Sequence, residues 1–191
     1  MREYAALTHV RLTQGARVAQ PPQPPRVTLD DPAFTVMTDL TLNAAATTYP
    51  DEPANRAHAM MVEREVRFLF VLDREGALAG VITDTDFLGE KPLSVMQARN
   101  VPRSELRVVD LMTGAALLEA IPYSEVAQMR VGHVVSTLRA VGRRHLLVCE
   151  KEGRLVRGII SARQVARQLG LAVETVEIAE TFADVEAALV R

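Results

Sequence analysis

The chain has 191 residues, 48% of them hydrophobic and 24% charged, with a formal net charge of -2 at pH 7. A chain of this size fits one globular domain or two subdomains sharing a core, and it buries roughly 70% of its unfolded surface without disulfide or metal staples. Acids slightly outnumber bases and aromatics are only 4%, which argues against a nucleic-acid surface, and no apolar run approaches the ~20 residues of a membrane span.

The amino-terminal extension, residues 1–31, lacks the continuous apolar stretch of a secretory signal. Cytoplasmic residence is therefore expected, and the single cysteine, Cys149, fits a reducing compartment as a small buried thiol within HLLVC. Within the extension PPQPP (21–25) forms a stiff spacer; with Arg26 it also matches the PxxPxR pattern of proline-recognition ligands.

From residue 36 onward the chain repeats itself. VMTD (36–39) opens the first unit as an extended segment, and EPANRAHAMMVERE (52–65) follows with Ala57, Met60 and Met61 at helical spacing. FLFVLDREG (68–76) and ALAGVIT (77–83) then read as the two strands of a hairpin, and a second helix starts at the TDTDF turn. Residues 89–110 form a connection with a predicted helix over 92–99.

The second unit opens on LMTG (111–114), has a helix in QMRVGHVVSTLRAVG (128–142) with Val131, Val134, Val135 and Leu138 on one face, and closes with HLLVCEKEG (145–153), RLVRGIIS (154–161) and a further helix. VETVEIAETFADVEAAL predicts an additional strand and a closing helix. Each unit thus runs strand, helix, strand, strand, helix. A sheet so small leaves one face uncovered, so the two units are expected to bury theirs against each other.

The strand-to-helix turns carry the chemistry. In GVITDTDF (80–87) and GIISARQV (158–165) a glycine permits close backbone approach, and Thr83 or Ser161 falls where a helix N-cap belongs. Ser161 and Gln164 have the spacing of a capping box, and Thr83 and Asp86 could form a similar one. The same geometry also suits a ligand: free amides at a helix start and a hydroxyl attract phosphate, and a carboxylate one turn on can accept from both hydroxyls of a ribose. Gln164, with one acceptor oxygen and no charge, is the poorer grip, so one competent cleft and one doubtful one are expected.

These features resemble a tandem pair of CBS domains, the Bateman module: the doubled unit, the VMT and LMT openings, the strand pair FLFVLDREGALAGVIT and the T-x-x-D turn at Thr83 to Asp86. The resemblance covers about residues 32–170. It implies an α+β fold of two βαββα repeats packed sheet to sheet, at 32–90 and 108–170, joined by a segment at 91–107 and followed by a strand-helix tail at 171–191. It implies a regulatory sensor of adenine nucleotides of the AMP, ADP or ATP type, without catalysis or a catalytic cofactor, working through conformational change and homodimer packing. Thr83 would face phosphate and Asp86 ribose. Arg67, and Arg144 with His145, would assist at phosphate, while Ser161 and Arg163 could still hold one in the second cleft.

Several readings stay open at this point. Met60, Met61, Val134 and Leu138 are candidates for a dimer seam, though the same spacing serves an intramolecular core. The four histidines lack zinc-site spacing, and no hydrolase, P-loop or metalloprotease motif is present, so neither a metal nor an enzyme is expected. A ligand-free protein-interaction scaffold of the same fold is the alternative function.

Overall fold

The computed structural model describes residues 5–19 and 25–171. The expected strand-helix tail from 172 and PPQPP up to Pro24 lie outside the described residues.

In chain order the elements are β1 (Met37–Asp39), β2 (Thr47–Thr48), α1 (Ala54–Glu63), β3 (Phe68–Leu72), β4 (Leu78–Thr83), α2 (Asp84–Leu88), α3 (Lys91–Arg99), α4 (Val108–Leu111), β5 (Thr113–Gly114), β6 (Ala120–Pro122), α5 (Tyr123–Val126), α6 (Val131–Val141), β7 (His145–Glu150), β8 (Leu155–Ser161) and α7 (Ala162–Gln168). They build two four-stranded sheets, ordered β2-β3-β4-β5 and β1-β8-β7-β6. Both hairpins form, β3 with β4 and β7 with β8. The helices α1 and α6 precede β3 and β7, and the strands ahead of them, β2 and β6, run parallel to those strands, as a helical crossover requires.

Successive side chains of a strand point to opposite faces, which explains why FLFVL and HLLVC are apolar throughout. Phe70, Val81 and Leu147 turn inward and form the core between the sheets, with Phe68, Leu72, Leu78, Val156 and Ile159 packed around them. Leu69, Val71 and Ile82 turn outward under Ala57, Met61 and Phe87 of the first pair of helices. Leu146, Val148 and Ile160 do the same under Val131, Val134, Leu138 and Val165. The expected sheet-to-sheet packing is therefore present. Of the candidate seam residues, Met61, Val134 and Leu138 are at most 5% exposed. These three serve the intramolecular core, and Met60 is partly buried against it.

One arrangement was not legible as a repeat. The opening strands are exchanged: β1, at the start of the first unit, pairs with β8 of the second, and β5, at the start of the second, pairs with β4 of the first. The preceding segments travel with them, so Ala33 and Val36 are buried in the second unit's core and Leu106, Val108 and Leu111 in the first unit's. Arg157 fastens one exchanged strand, pairing with Asp39 of β1 at 3.1 Å and with Glu150 of β7 while lying 3.7 Å over the Tyr123 ring. The Thr41 hydroxyl and amide, followed by Arg157, hold the Asp39 carboxyl below its ordinary range.

Candidate functional site

The β4–α2 and β8–α7 turns lie at the same end of the sheets, where the starts of β3 and β7 meet. Phe68 opens β3 and is paired with Thr83; His145 opens β7 and is paired with Ser161. The Phe68 and His145 rings touch across the boundary between units, with centroids 5.0 Å apart. That contact sets the start of β3, with the Thr83 turn paired to it, beside the start of β7, with the Ser161 turn paired to it, and puts His145 within reach of the Asp84 charge.

Thr83 caps α2. The Asp86 carboxylate oxygen Oδ2 accepts from the Thr83 amide at 2.8 Å and from its hydroxyl at 2.7 Å, while Thr83 and Thr85 share a hydroxyl bond of 2.8 Å. The other oxygen, Oδ1, is 3.4 Å from the ammonium of Lys91. Arg67 is half-exposed, its guanidinium 3.4 Å from Asp84 and its carbonyl accepting from the Asp84 amide at 3.1 Å. In the second unit the Arg144 carbonyl accepts from the Ala162 amide in the same way, at 2.9 Å. The Arg144 and Arg163 side chains are exposed and carry no ion pair among the described residues.

The capping pattern differs from the expectation. The box at Thr83 is closed from Asp86, whose carboxylate accepts from the Thr83 amide and hydroxyl, whereas Ser161 and Gln164 make no such bond and Gln164 turns away. Its Oε1 instead accepts from the Thr38 hydroxyl at 3.3 Å. Thr38 is delivered by the exchanged strand β1, so this partner is invisible in the local sequence of the turn.

His145 is the electrostatically distinctive group at this end of the sheets. Burial lowers its pKa to about 4; the Asp84 carboxylate opposes that shift and the Arg144 charge adds to it. The imidazole is therefore neutral at neutral pH and presents a hydrogen-bonding ring without a charge. One hollow adjoins this region and another lies away from it. The first, of about 90 Å³, is lined by Glu119, Thr137, Arg143 and His145. A larger one, near Tyr123, Cys149 and Glu150, lies at the far end of β7 and contains none of the candidate residues.

The residues that sequence reasoning passed over are Lys91, Thr38 and Phe68. Lys91 carried one signal, being one of only two lysines among 22 basic residues. Among the described residues no cluster of three or more His, Cys, Asp or Glu could hold a metal, and no helix is long and apolar enough to cross a membrane.

Residues 23–92 match the family model of the CBS domain. Among solved structures, an uncharacterized conserved protein from Pyrococcus horikoshii is similar with a TM-score of 0.56 at 19% identity, over 78% of this chain and 100% of its own. The fold is that of a tandem CBS pair. CBSX2 of Arabidopsis thaliana, solved in complex with AMP, is similar with a TM-score of 0.53 at 23% identity, over 72% of this chain and 94% of its own. A CBS-domain-containing protein from Agrobacterium tumefaciens gives 0.51 at 19% identity, over 68% and 88% of the two chains. Comparison with curated proteins found no significant match. Within the CBS pair seen here, the exchanged strands put β5 of the second repeat against the Thr83 turn and β1 of the first against the Ser161 turn.

Proposed function

We propose that the chain is a regulatory module that binds an adenosine-containing nucleotide of the AMP, ADP or ATP type at the Thr83–Asp86 turn, without catalysis. The observation that carries this reading is the contact of the two repeats beside the Thr83 turn. A helix start with a threonine hydroxyl and a carboxylate lies on one side, and Arg144 with a neutral His145 lies on the other, joined by the Phe68–His145 contact. In this reading the Thr83 hydroxyl with Arg67 and Arg144 receives the phosphate, and the Asp86 carboxylate receives the ribose diol. The AMP complex of CBSX2, a protein of this fold, supports choosing an adenine nucleotide first.

A ligand held by both repeats acts by favouring one arrangement of them over another, in proportion to its difference in affinity for the two. We place the module in the cytoplasm as a homodimer. Support for the dimer comes from the exposed apolar side chains Val62 and Leu88 on the contacting helices α1 and α2, which are 67% and 70% exposed.

A second reading, a ligand-free interaction scaffold, is favoured by one observation. Asp86 is engaged by Thr83 and Lys91, and Gln164 by Thr38, so neither cleft has an idle grip. Thermal unfolding with AMP, ADP, ATP, S-adenosylmethionine and NAD separates the two. A ligand at 100 times its dissociation constant should add about 2.7 kcal/mol to the wild type and nothing to Asp86→Ala. No stabilisation of the wild type by any of the five would support the scaffold instead.

A further inference from the structure

We propose that Lys91 is the gate of the Asp86 cleft: its ammonium holds the acceptors that an incoming diol must claim, and it sets the affinity of the site. The inference rests on the ligand-binding reading above.

Lys91 is the first residue of α3, just beyond the end of α2 at Gly89. Its Nζ donates to three acceptors: Asp86 Oδ1 at 3.4 Å, the Met112 carbonyl at 3.2 Å and the Leu111 carbonyl. An ammonium has three donors, so this set uses all of them. Asp86 has no other oxygen to offer, because Oδ2 already serves the Thr83 amide and hydroxyl as the helix cap. A ligand hydroxyl can therefore reach the carboxylate without dismantling the cap only through Oδ1, where it competes with Lys91 for the oxygen's charge and position.

The gate is also a bridge between repeats. Leu111 and Met112 lead into β5, the strand that the second repeat lends to the first sheet. The other cleft has a link at the equivalent place: Gln164, at the same helix position as Asp86, is joined to Thr38 of the other exchanged strand. Both clefts are thus closed by a tie from the start of the turn helix to the borrowed strand. Only the tie at Asp86 is made by a separate, movable side chain. Lys91 is 41% exposed along its side chain, so its ammonium can swing into water while α3 stays packed through Val95 and Met96.

Lys91→Met keeps the apolar stem and removes the ammonium, and Lys91→Ala removes both. AMP binding is measured by titration calorimetry on the full chain, with Asp86→Ala as the control. Lys91→Met is expected to bind AMP about tenfold more tightly than the wild type, equivalent to about 1.4 kcal/mol. As the reciprocal readout, both Lys91 variants should unfold at lower temperature than the wild type without ligand, and that deficit should shrink at saturating AMP. Binding by Lys91→Met alone, with the wild type silent, would be the extreme form of the same result. If the wild type binds AMP, Asp86→Ala does not, and Lys91→Met binds equally or more weakly, the gate is overturned while the ligand site stands. If neither the wild type nor Lys91→Met binds AMP, ADP or ATP at millimolar concentration, the ligand reading falls and the gate with it.

Discussion

Gly80→Ala is expected to cost about 2–3 kcal/mol of stability, and Gly158→Ala about half as much, in urea unfolding followed by circular dichroism. Both glycines lie where an exchanged strand crosses the end of a hairpin, Gly80 paired with Gly114 and Gly158 with Asp39. A β carbon on Gly80 would lie 2.4 Å from the Thr113 carbonyl oxygen and 3.2 Å from the Gly114 α carbon. Those are backbone atoms of a two-residue strand, which cannot retreat without losing its ladder to β4. On Gly158 the added carbon would chiefly meet the Met37 side chain, with its sulfur at 2.5 Å and Cγ at 2.8 Å, while the Thr38 carbonyl oxygen stands at 3.1 Å. A thioether can rotate aside, which halves the expected loss. Equal losses at the two glycines would show that backbone crowding does not distinguish the two exchanges.

The second large effect is on the pH dependence of stability. With its folded pKa near 4 and an unfolded value near 6.5, His145 binds its proton more readily in the unfolded chain. The unfolded state therefore gains protons first as pH falls, and stability contributed by the neutral ring is full above about 6.5 and drains away down to about 4. The slope from this group approaches 1.4 kcal/mol per pH unit in the middle of that window. Carboxylates titrate in the same acid range, so the comparison is with His145→Phe, which copies the equivalent Phe68. The variant should lose much less stability between pH 6.5 and 4.5, and the two proteins should run parallel above pH 7. Parallel curves across the whole range would mean that His145 titrates normally in the fold.

Much of the architecture was legible because it is written in local periodicity. Ala57 with Met61, and Val131 with Val134 and Leu138, announce helices by spacing, and they occupy the core where that spacing puts them. FLFVL and HLLVC announce strands covered on both faces, and Gly80 and Gly158 announce a close approach of backbone. The exchange of β1 and β5 was not legible, because strands of three and two residues carry almost no pairing signal and their partners are set by how the chain crosses over. The same crossing misled the reading of the turns. Ser161 and Gln164 have the spacing of a capping box, yet Gln164 finds Thr38, a residue 126 positions away in sequence. Lys91 was hidden for a related reason: within a connecting segment it looks like an ordinary solvated charge, and only the fold places Asp86, Leu111 and Met112 around it.

The crossed opening segments have a consequence for what counts as half of this molecule. Cutting the chain between Arg99 and Arg103 would not release two self-sufficient pieces, because each fragment would carry its sister's edge strand and lack its own. The severed pieces would recover the native architecture only by reassociating, as clasped hands close only together. Melting should accordingly be a single concerted event, and anything that loosens one repeat is felt at once by the other through the segment it has on loan.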